Sequence, residues 1–253
     1  MRWPMALNRA GSLPVKSAAH ATVSRPGGWK RPMDLLLILL SLPFILPVVV
    51  LIAIYIKLVS PGPILFVQTR IGHQRKRFRC FKFRTMLAPA RQTLHRKHIT
   101  QAISDDAPMT KLDKIDPRII PMGQILRASG MDELPQLLNV LRGEMSLIGP
   151  RPCTPYELRR YKPQQLERFE ATPGITGLWQ VSGKNATSFS EMIRFDIHYS
   201  RNASFGMDCK IIGLTAEVIL KGVAEALRQR QQLGTASQDR KPVTTTSTTE
   251  SGG

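Results

Sequence analysis

Cysteine is scarce in this chain of 253 residues. Only Cys80, Cys153 and Cys209 occur, far apart and with no C-x-x-C pair. That excludes a disulfide scaffold and a structural zinc site. Free thiols fit a reducing, cytosol-facing chain. Acidic residues are almost missing from the first two-fifths. Residues 1–104 hold 17 Lys+Arg and one acid, Asp34, whereas residues 105–253 hold 19 basic and 17 acidic residues. The formal charge is +18, which excludes an acidic disordered protein, and 42% hydrophobic residues exclude a solvated basic tail. There is no P-loop and no G-x-G-x-x-G fingerprint. His73, His95, His98 and His198 show no ligand spacing, and His20 lies in a basic N-terminal stretch. So lopsided a positive charge needs an acidic partner: nucleic acid, anionic lipid or a phosphorylated substrate.

What is present is a charge-free run of 22 residues, Leu35 to Ile56, long enough to span a bilayer. It is too long for a cleaved signal peptide, and no small-residue cleavage site follows. Pro43 and Pro47 lie inside it, and each removes a backbone donor. Cations flank both ends: Lys30 and Arg31 before, Lys57 and the set from Arg70 to Arg84 after. Both flanks therefore qualify as cytoplasmic. The residues leave two readings open, a proline-kinked span and a helix–break–helix hairpin that returns to its own side.

Around this run the chain divides into a basic, disordered stretch 1–29, a membrane segment 30–57, a domain 58–230 and a low-complexity tail 231–253. No internal repeat is visible. Residues 57–86 combine a Pro-Gly-Pro turn with strand-like alternation and many cations, suited to headgroup depth. Residues 88–115 read as a loop or a loosely packed helix. Leu134, Leu137, Leu138 and Leu141 mark an amphipathic helix after Asp132. Residues 155–171 read as another helix, Leu178–Val181 as strand-like, and Ile211–Leu227 as a helix that packs on the domain or lies in the membrane interface.

Three constellations could carry chemistry. Asp132-Glu133 at a helix start could serve as nucleophile, base or Mg²⁺ ligand. Ser129-x-x-Asp132 also fits a capping box, although Pro135 favours a helix that starts nearer Asp132. Arg127 and the Gly149-Pro150-Arg151-Pro152 loop offer arginines suited to phosphate, or a surface turn. Lys82 and Arg84 alternate with Phe81 and Phe83, which gives a phosphate or headgroup contact or a solvated basic face. Asp196 and Asp208 could support a metal but more often cap or pair. Trp179 is core or interfacial.

In order, the chain shows Lys30-Arg31-x-x-Asp34, a proline-broken apolar run, Gly62-Pro63, Phe66-x-Gln68-x-Arg70-x-Gly72, Lys82-Phe83-Arg84-Thr85-Met86, Asp116-Pro117-Arg118, Asp132-Glu133-Leu134-Pro135-Gln136, Gly149-Pro150-Arg151-Pro152 and Pro173-Gly174-Ile175-Thr176-Gly177. This series, over about residues 30–222, resembles the bacterial sugar transferase family, small monotopic polyprenyl-phosphate glycosyl-1-phosphate transferases that start surface-glycan assembly. The resemblance implies an α+β, mostly helical fold: a re-entrant hairpin broken at Pro47 and a cytoplasmic catalytic domain with amphipathic interfacial helices. It implies transfer of a hexose-1-phosphate from a UDP-sugar to undecaprenyl phosphate, with release of UMP. Asp132 would be the nucleophile, and Glu133 would assist through Mg²⁺, held by the dyad, or through proton handling. Arg127 would bind phosphate; Pro150, Arg151 and Pro152 would meet the nucleotide; Lys82 and Arg84 are further substrate-binding candidates. Expected partners are the two substrates, anionic lipid and downstream glycosyltransferases, with no nucleic acid, at the cytoplasmic face of a bacterial inner membrane. The alternatives are a catalytically inactive transferase-like scaffold and a membrane-anchored basic binding protein.

The chain departs from the family pattern at Arg75, where Gly is usual, at Gly130-Met131 for Ser-Leu, at Glu144 for Asp, and at Lys184 for Arg. The Gly183-Lys184-Asn185 variant and residues 187–196 lean toward members that start exopolysaccharides with galactose or glucose.

Overall fold

The computed structural model describes residues 28–87, 93–108, 116, 118–183 and 187–238. The expectations for residues 1–27 and 239–253, and for Lys184-Asn185, lie outside these.

The apolar run forms helix α1, Lys30–Val59, with Pro43 and Pro47 inside it. Thirty residues at 1.5 Å each would reach about 45 Å if straight. The helix is long and apolar enough to cross a membrane by length and composition. Its middle is bare: Leu39, Leu40, Phe44, Leu46 and Leu51 are exposed. Both of its ends, however, are fastened to the domain. At the start, Lys30 Nζ donates to Tyr199 Oη at 3.0 Å and pairs with Asp208. Arg31 donates to the carbonyls of Val140 and Leu141, and the Leu147 N–H donates to Asp34 Oδ1 at 3.2 Å. So Lys30, Arg31 and Asp34, read as a motif in the sequence, form a three-point clasp. At the far end Ile52 and Ile56 are buried with Phe83, Ile120 and Leu126, and Tyr55 Oη donates to Pro121 O at 2.6 Å.

After the Pro-Gly-Pro turn, β1 (Leu65–Ile71) and β2 (Arg77–Phe83) pair antiparallel. Arg70 stands opposite Phe78, Gln68 opposite Cys80, and Phe66 opposite Lys82. Directly paired residues share a face, so Arg70, Cys80 and Lys82 lie on one side of the hairpin. Phe78 and Cys80 pack with Ile38, Val140 and Met145. Residues 88–115, expected to be irregular, contain helix α2, Thr93–Ser104. Ile99 and Ala102 of α2 enter the main core with Trp179, Met192, Ile193 and Tyr199. Trp179 is therefore core; its indole N–H donates to Thr187 Oγ1 at 2.6 Å.

Helix α3 (Gly123–Ala128) leads into a 3₁₀ turn, Met131–Gln136, that continues as α4, Leu137–Leu141. Of the leucines that mark the expected amphipathic helix, Leu134 and Leu137 pack on the core while Leu138 and Leu141 are exposed, and Gln136, Asn139 and Val140 are buried. The expected helix 155–171 is split into α5 (Pro155–Leu158) and a 3₁₀ stretch Pro163–Glu170, since Pro163 cannot continue the first helix. Strands β3 (Ser146–Ile148) and β4 (Gly174–Thr176) pair in parallel. Leu178–Val181, expected to be strand-like, is a helical turn, α6. Helices α7 (Phe189–Asn202) and α8 (Phe205–Gln238) complete the domain. Thus α8 covers the expected helix 211–227 and runs eight residues past the expected domain boundary at 230. The fold is mostly helical with two small sheets, as expected.

Candidate active site

The dyad heads the 3₁₀ turn. Gly130 precedes it with φ of 73°, a left-handed conformation that glycine adopts at little cost. Ser129 is not an N-cap: its hydroxyl donates back to Leu126 O at 3.1 Å, and it closes α3 instead. The capping-box reading of Ser129-x-x-Asp132 therefore does not hold. Pro135 sits where 3₁₀ geometry passes into α4. Asp132 is buried, 5% exposed. Glu133 is half-buried and accepts from Lys82 Nζ at 2.6 Å. Two adjacent carboxylates repel, and the Lys82 ammonium offsets charge on one of them. Lys82, expected at a phosphate, at a headgroup or on a solvated face, joins β2 to the dyad through Glu133.

Asn139 fixes this join, and the sequence did not single it out. It is fully buried. Its Oδ1 accepts from the Phe81 N–H at 3.2 Å, and its Nδ2 donates to Arg79 O at 2.7 Å and to Glu144 Oε2 at 2.6 Å. One side-chain amide thereby fills a rung on the open edge of β2, next to Lys82. Glu144, a departure from the family's Asp, keeps this contact.

Arg84 has other partners. It lies past the end of β2, is buried, and donates to Pro61 O at 2.7 Å and Ser60 O at 2.6 Å. It secures the turn that leaves α1. Arg127 is in the last turn of α3, before the dyad.

The Pro150–Pro152 loop follows β3 and crosses the Pro173–Gly177 segment at close range. Gly149 N–H donates to Thr176 O and Gly174 N–H to Pro150 O, both at 2.9 Å. A Cβ on Gly174 would lie 2.0 Å from Gly149 N, and one on Gly149 would lie 2.2 Å from Thr172 O. These glycines are required because two main chains touch. The loop is tied to β1 as well: Ile71 N–H donates to Cys153 O at 2.8 Å, and Arg70 Nη1 to Pro152 O at 3.1 Å.

Below the loop is a buried set of charges. Arg151 Nη1 donates to Glu157 Oε2 at 3.3 Å. Glu157 forms a capping box with Thr154. Arg168 pairs with Asp196 and donates to Arg151 O at 2.8 Å. Burial alone would raise the Glu157 carboxyl, but Arg151, then Arg70 and the Thr154 N–H, hold it below the ordinary carboxylate value. Burial pushes Asp196 up to about 6 against the pull of Arg168 and Arg151. Asp196 and Asp208 are thus paired acids, the commoner of their two expected roles. Burial also raises the Cys80 thiol, against Lys82 and Arg70, while Glu133 and Arg151 act on it too.

Among the described residues no group of three or more His, Cys, Asp and Glu could hold a metal alone. Two carboxylates do suit Mg²⁺, which commonly takes one or two carboxylates and completes its shell with substrate phosphates and water.

The sequence profile described as bacterial sugar transferase matches residues 26–222. The exopolysaccharide production protein ExoY of Rhizobium meliloti is 36% identical over 214 residues, covering 83% of this chain and 95% of that protein. The undecaprenyl-phosphate galactose phosphotransferase of Salmonella typhimurium is 38% identical over 167 residues, 63% of this chain and 34% of that protein. The UDP-glucose:undecaprenyl-phosphate glucose-1-phosphate transferase of Escherichia coli is 36% identical over 195 residues, 74% of this chain and 39% of that protein. With the profile match spanning most of the chain and a relative 36% identical over 95% of its own length, the chain belongs to the bacterial sugar transferase family.

Proposed function

We propose that the chain transfers a hexose-1-phosphate from a UDP-sugar to undecaprenyl phosphate, releasing UMP and starting an exopolysaccharide or related surface glycan. The observation that carries this reading is the buried Asp132 beside a Lys82-paired Glu133, in a domain that grips both ends of an apolar helix. The names of the relatives from Salmonella and E. coli point to the same reaction class.

In the first step an Asp132 carboxylate oxygen attacks the phosphorus that bears the sugar. The bond from that phosphorus to the bridging oxygen breaks, and UMP leaves with the electron pair. In the second step an oxygen of undecaprenyl phosphate attacks the same phosphorus, the acyl-phosphate bond breaks, and Asp132 is restored. Lys82 keeps Glu133 charge-balanced, so Glu133 does not oppose the donor's negative charge. Arg127 and Arg151 offset charge on the phosphates. Asp132 and Glu133 would hold Mg²⁺, which when bound neutralises the diphosphate.

The membrane mode we propose is a re-entrant hairpin broken at Pro47. It is supported by the clasp at Lys30, Arg31 and Asp34 and by the Ile52–Ile56 contacts at the other end. A helix crossing straight would carry one end away from the domain. The active site then lies on the cytoplasmic face of the inner membrane, at the depth of the acceptor's phosphate. Downstream glycosyltransferases use the product.

The test is UMP release with undecaprenyl phosphate, Mg²⁺ and a panel of UDP-glucose, UDP-galactose and UDP-N-acetyl sugars. One donor is expected to give turnover, and Asp132→Asn to lower it by about 10³-fold or more. No release with any donor, from protein that binds UMP, would favour a scaffold and sink the reading.

A further inference from the structure

We propose that Arg70 is a substrate-binding residue, which completes with Arg151 a site for the donor's phosphates at the Pro-Arg-Pro loop. This rests on the transferase reading and adds a ligand to the same site.

Arg70 is 8% exposed. Its one hydrogen bond goes to a neutral carbonyl, Pro152 O. Among the described residues no carboxylate lies within ion-pair distance of it, although Arg151 has Glu157 and Arg168 has Asp196. The buried set therefore holds three guanidinium groups and two carboxylates, one positive charge in surplus at neutral pH. A lysine or histidine so placed could shed its proton, but arginine cannot. Burying an uncompensated charge is costly, and the cost falls when an anion docks. Glu157 Oε2 takes Arg151 and the Thr154 N–H, and its buried Oε1 makes no hydrogen bond, so Arg70 acts on Glu157 through space without a direct ion pair.

Place strengthens the assignment. Arg70 shares a hairpin face with Cys80 and Lys82. Lys82 meets the dyad at one end of that face, and Arg70 meets the loop at the other. Cys80 and Phe78, packed with Ile38, Val140 and Met145, close the face between these ends, so a nucleoside diphosphate sugar with its reacting phosphorus at the dyad would meet Arg70 at the loop end. The guanidinium fork is suited to two phosphate oxygens. Arg70 thereby couples loop position to phosphate binding.

The test is calorimetric titration of the full-length protein in detergent with UMP, and with uridine as the uncharged control. Arg70→Gln should weaken UMP binding by about 10- to 100-fold while uridine binding is unchanged. Arg70→Lys should recover part of the loss. Glu157→Gln keeps a capping-box residue and deletes a counter-charge, so it should tighten UMP binding several-fold, an effect a purely structural role would not produce. Equal UMP affinity in Arg70→Gln and wild type would overturn the assignment, as would parallel loss of UMP and uridine. Should Arg70→Gln not fold, UMP binding in Arg70→Lys as tight as in wild type overturns it. A wild-type protein that binds no UMP and releases none would sink the transferase reading itself; wild type that turns over while Arg70→Gln is unaffected would sink only Arg70.

Discussion

Arg75 shows how one side chain can work against its backbone. It has φ of 61° and follows Gln74 at φ of 51°, in the turn that joins β1 to β2. The turn is closed by Arg75 N–H to Gly72 O at 3.0 Å and Gly72 N–H to Lys76 O at 2.9 Å. Left-handed backbone costs a residue with a Cβ about 1 kcal/mol relative to glycine. This accounts for the glycine usual in the family at this position. Arg75→Gly is therefore expected to stabilise the protein by about 1 kcal/mol, read as a raised unfolding midpoint in detergent; an unchanged or lowered midpoint would contradict the turn geometry. At this scale the Asp132-Glu133 pair stands out in the sequence because the two acids are adjacent, whereas the Lys82–Glu133 pair spans 51 positions and only the fold shows it. The division of labour between Arg84 and Arg70 was not legible either. Both belong to segments of alternating sequence, and only tertiary contact shows that Ser60 O and Pro61 O take one guanidinium while the other faces the Pro-Arg-Pro loop.

Elements are joined here mainly by side chains that complete main-chain ladders. Asn139 joins the dyad helix to β2, and the Arg31 guanidinium takes the last carbonyls of α4. Asn139→Ala would orphan Phe81 N–H and Arg79 O at the strand edge and strip Glu144 of its donor. Leaving buried polar groups unsatisfied should cost about 2–4 kcal/mol. The measurement is again the unfolding midpoint; a variant as stable as wild type would show that water replaces the amide without loss. Periodicity placed the helix after Asp132 but not its surroundings, and it failed at Leu178–Val181, both for physical reasons. The Leu138–Leu141 side is exposed because the opposite face carries Gln136 and Asn139 into contacts that an apolar count cannot see. Leu178–Val181 is too short for helix and strand to be told apart by pattern. The strand instead falls on Gly174–Thr176, where only glycine allows the approach to Gly149.

For the whole molecule, ten of the 17 cations of residues 1–104 fall between Lys30 and Arg84, on the apolar helix and the hairpin beside it. The motif Lys30-Arg31-x-x-Asp34 was legible as sequence, but its use as a clasp was not, since Asp208, Val140 and Leu147 are more than 100 residues away along the chain. A hairpin keeps both termini of α1 on the cytoplasmic side. Cysteine placed at the exposed Gly28, in a Cys209→Ser background, should react with an impermeant maleimide only after the inner membrane is opened. Labelling from outside intact spheroplasts would replace the hairpin with a straight crossing.

The central claim, that Asp132 carries the phosphosugar, is tested most directly without the acceptor. Protein mixed with the working UDP-sugar alone should release about one UMP per chain in a single burst and gain the mass of a hexose phosphate, located at Asp132. Addition of undecaprenyl phosphate should then remove that mass. A burst and an adduct in Asp132→Asn, or wild-type UMP release that starts only when undecaprenyl phosphate is added and leaves no adduct, would contradict the account.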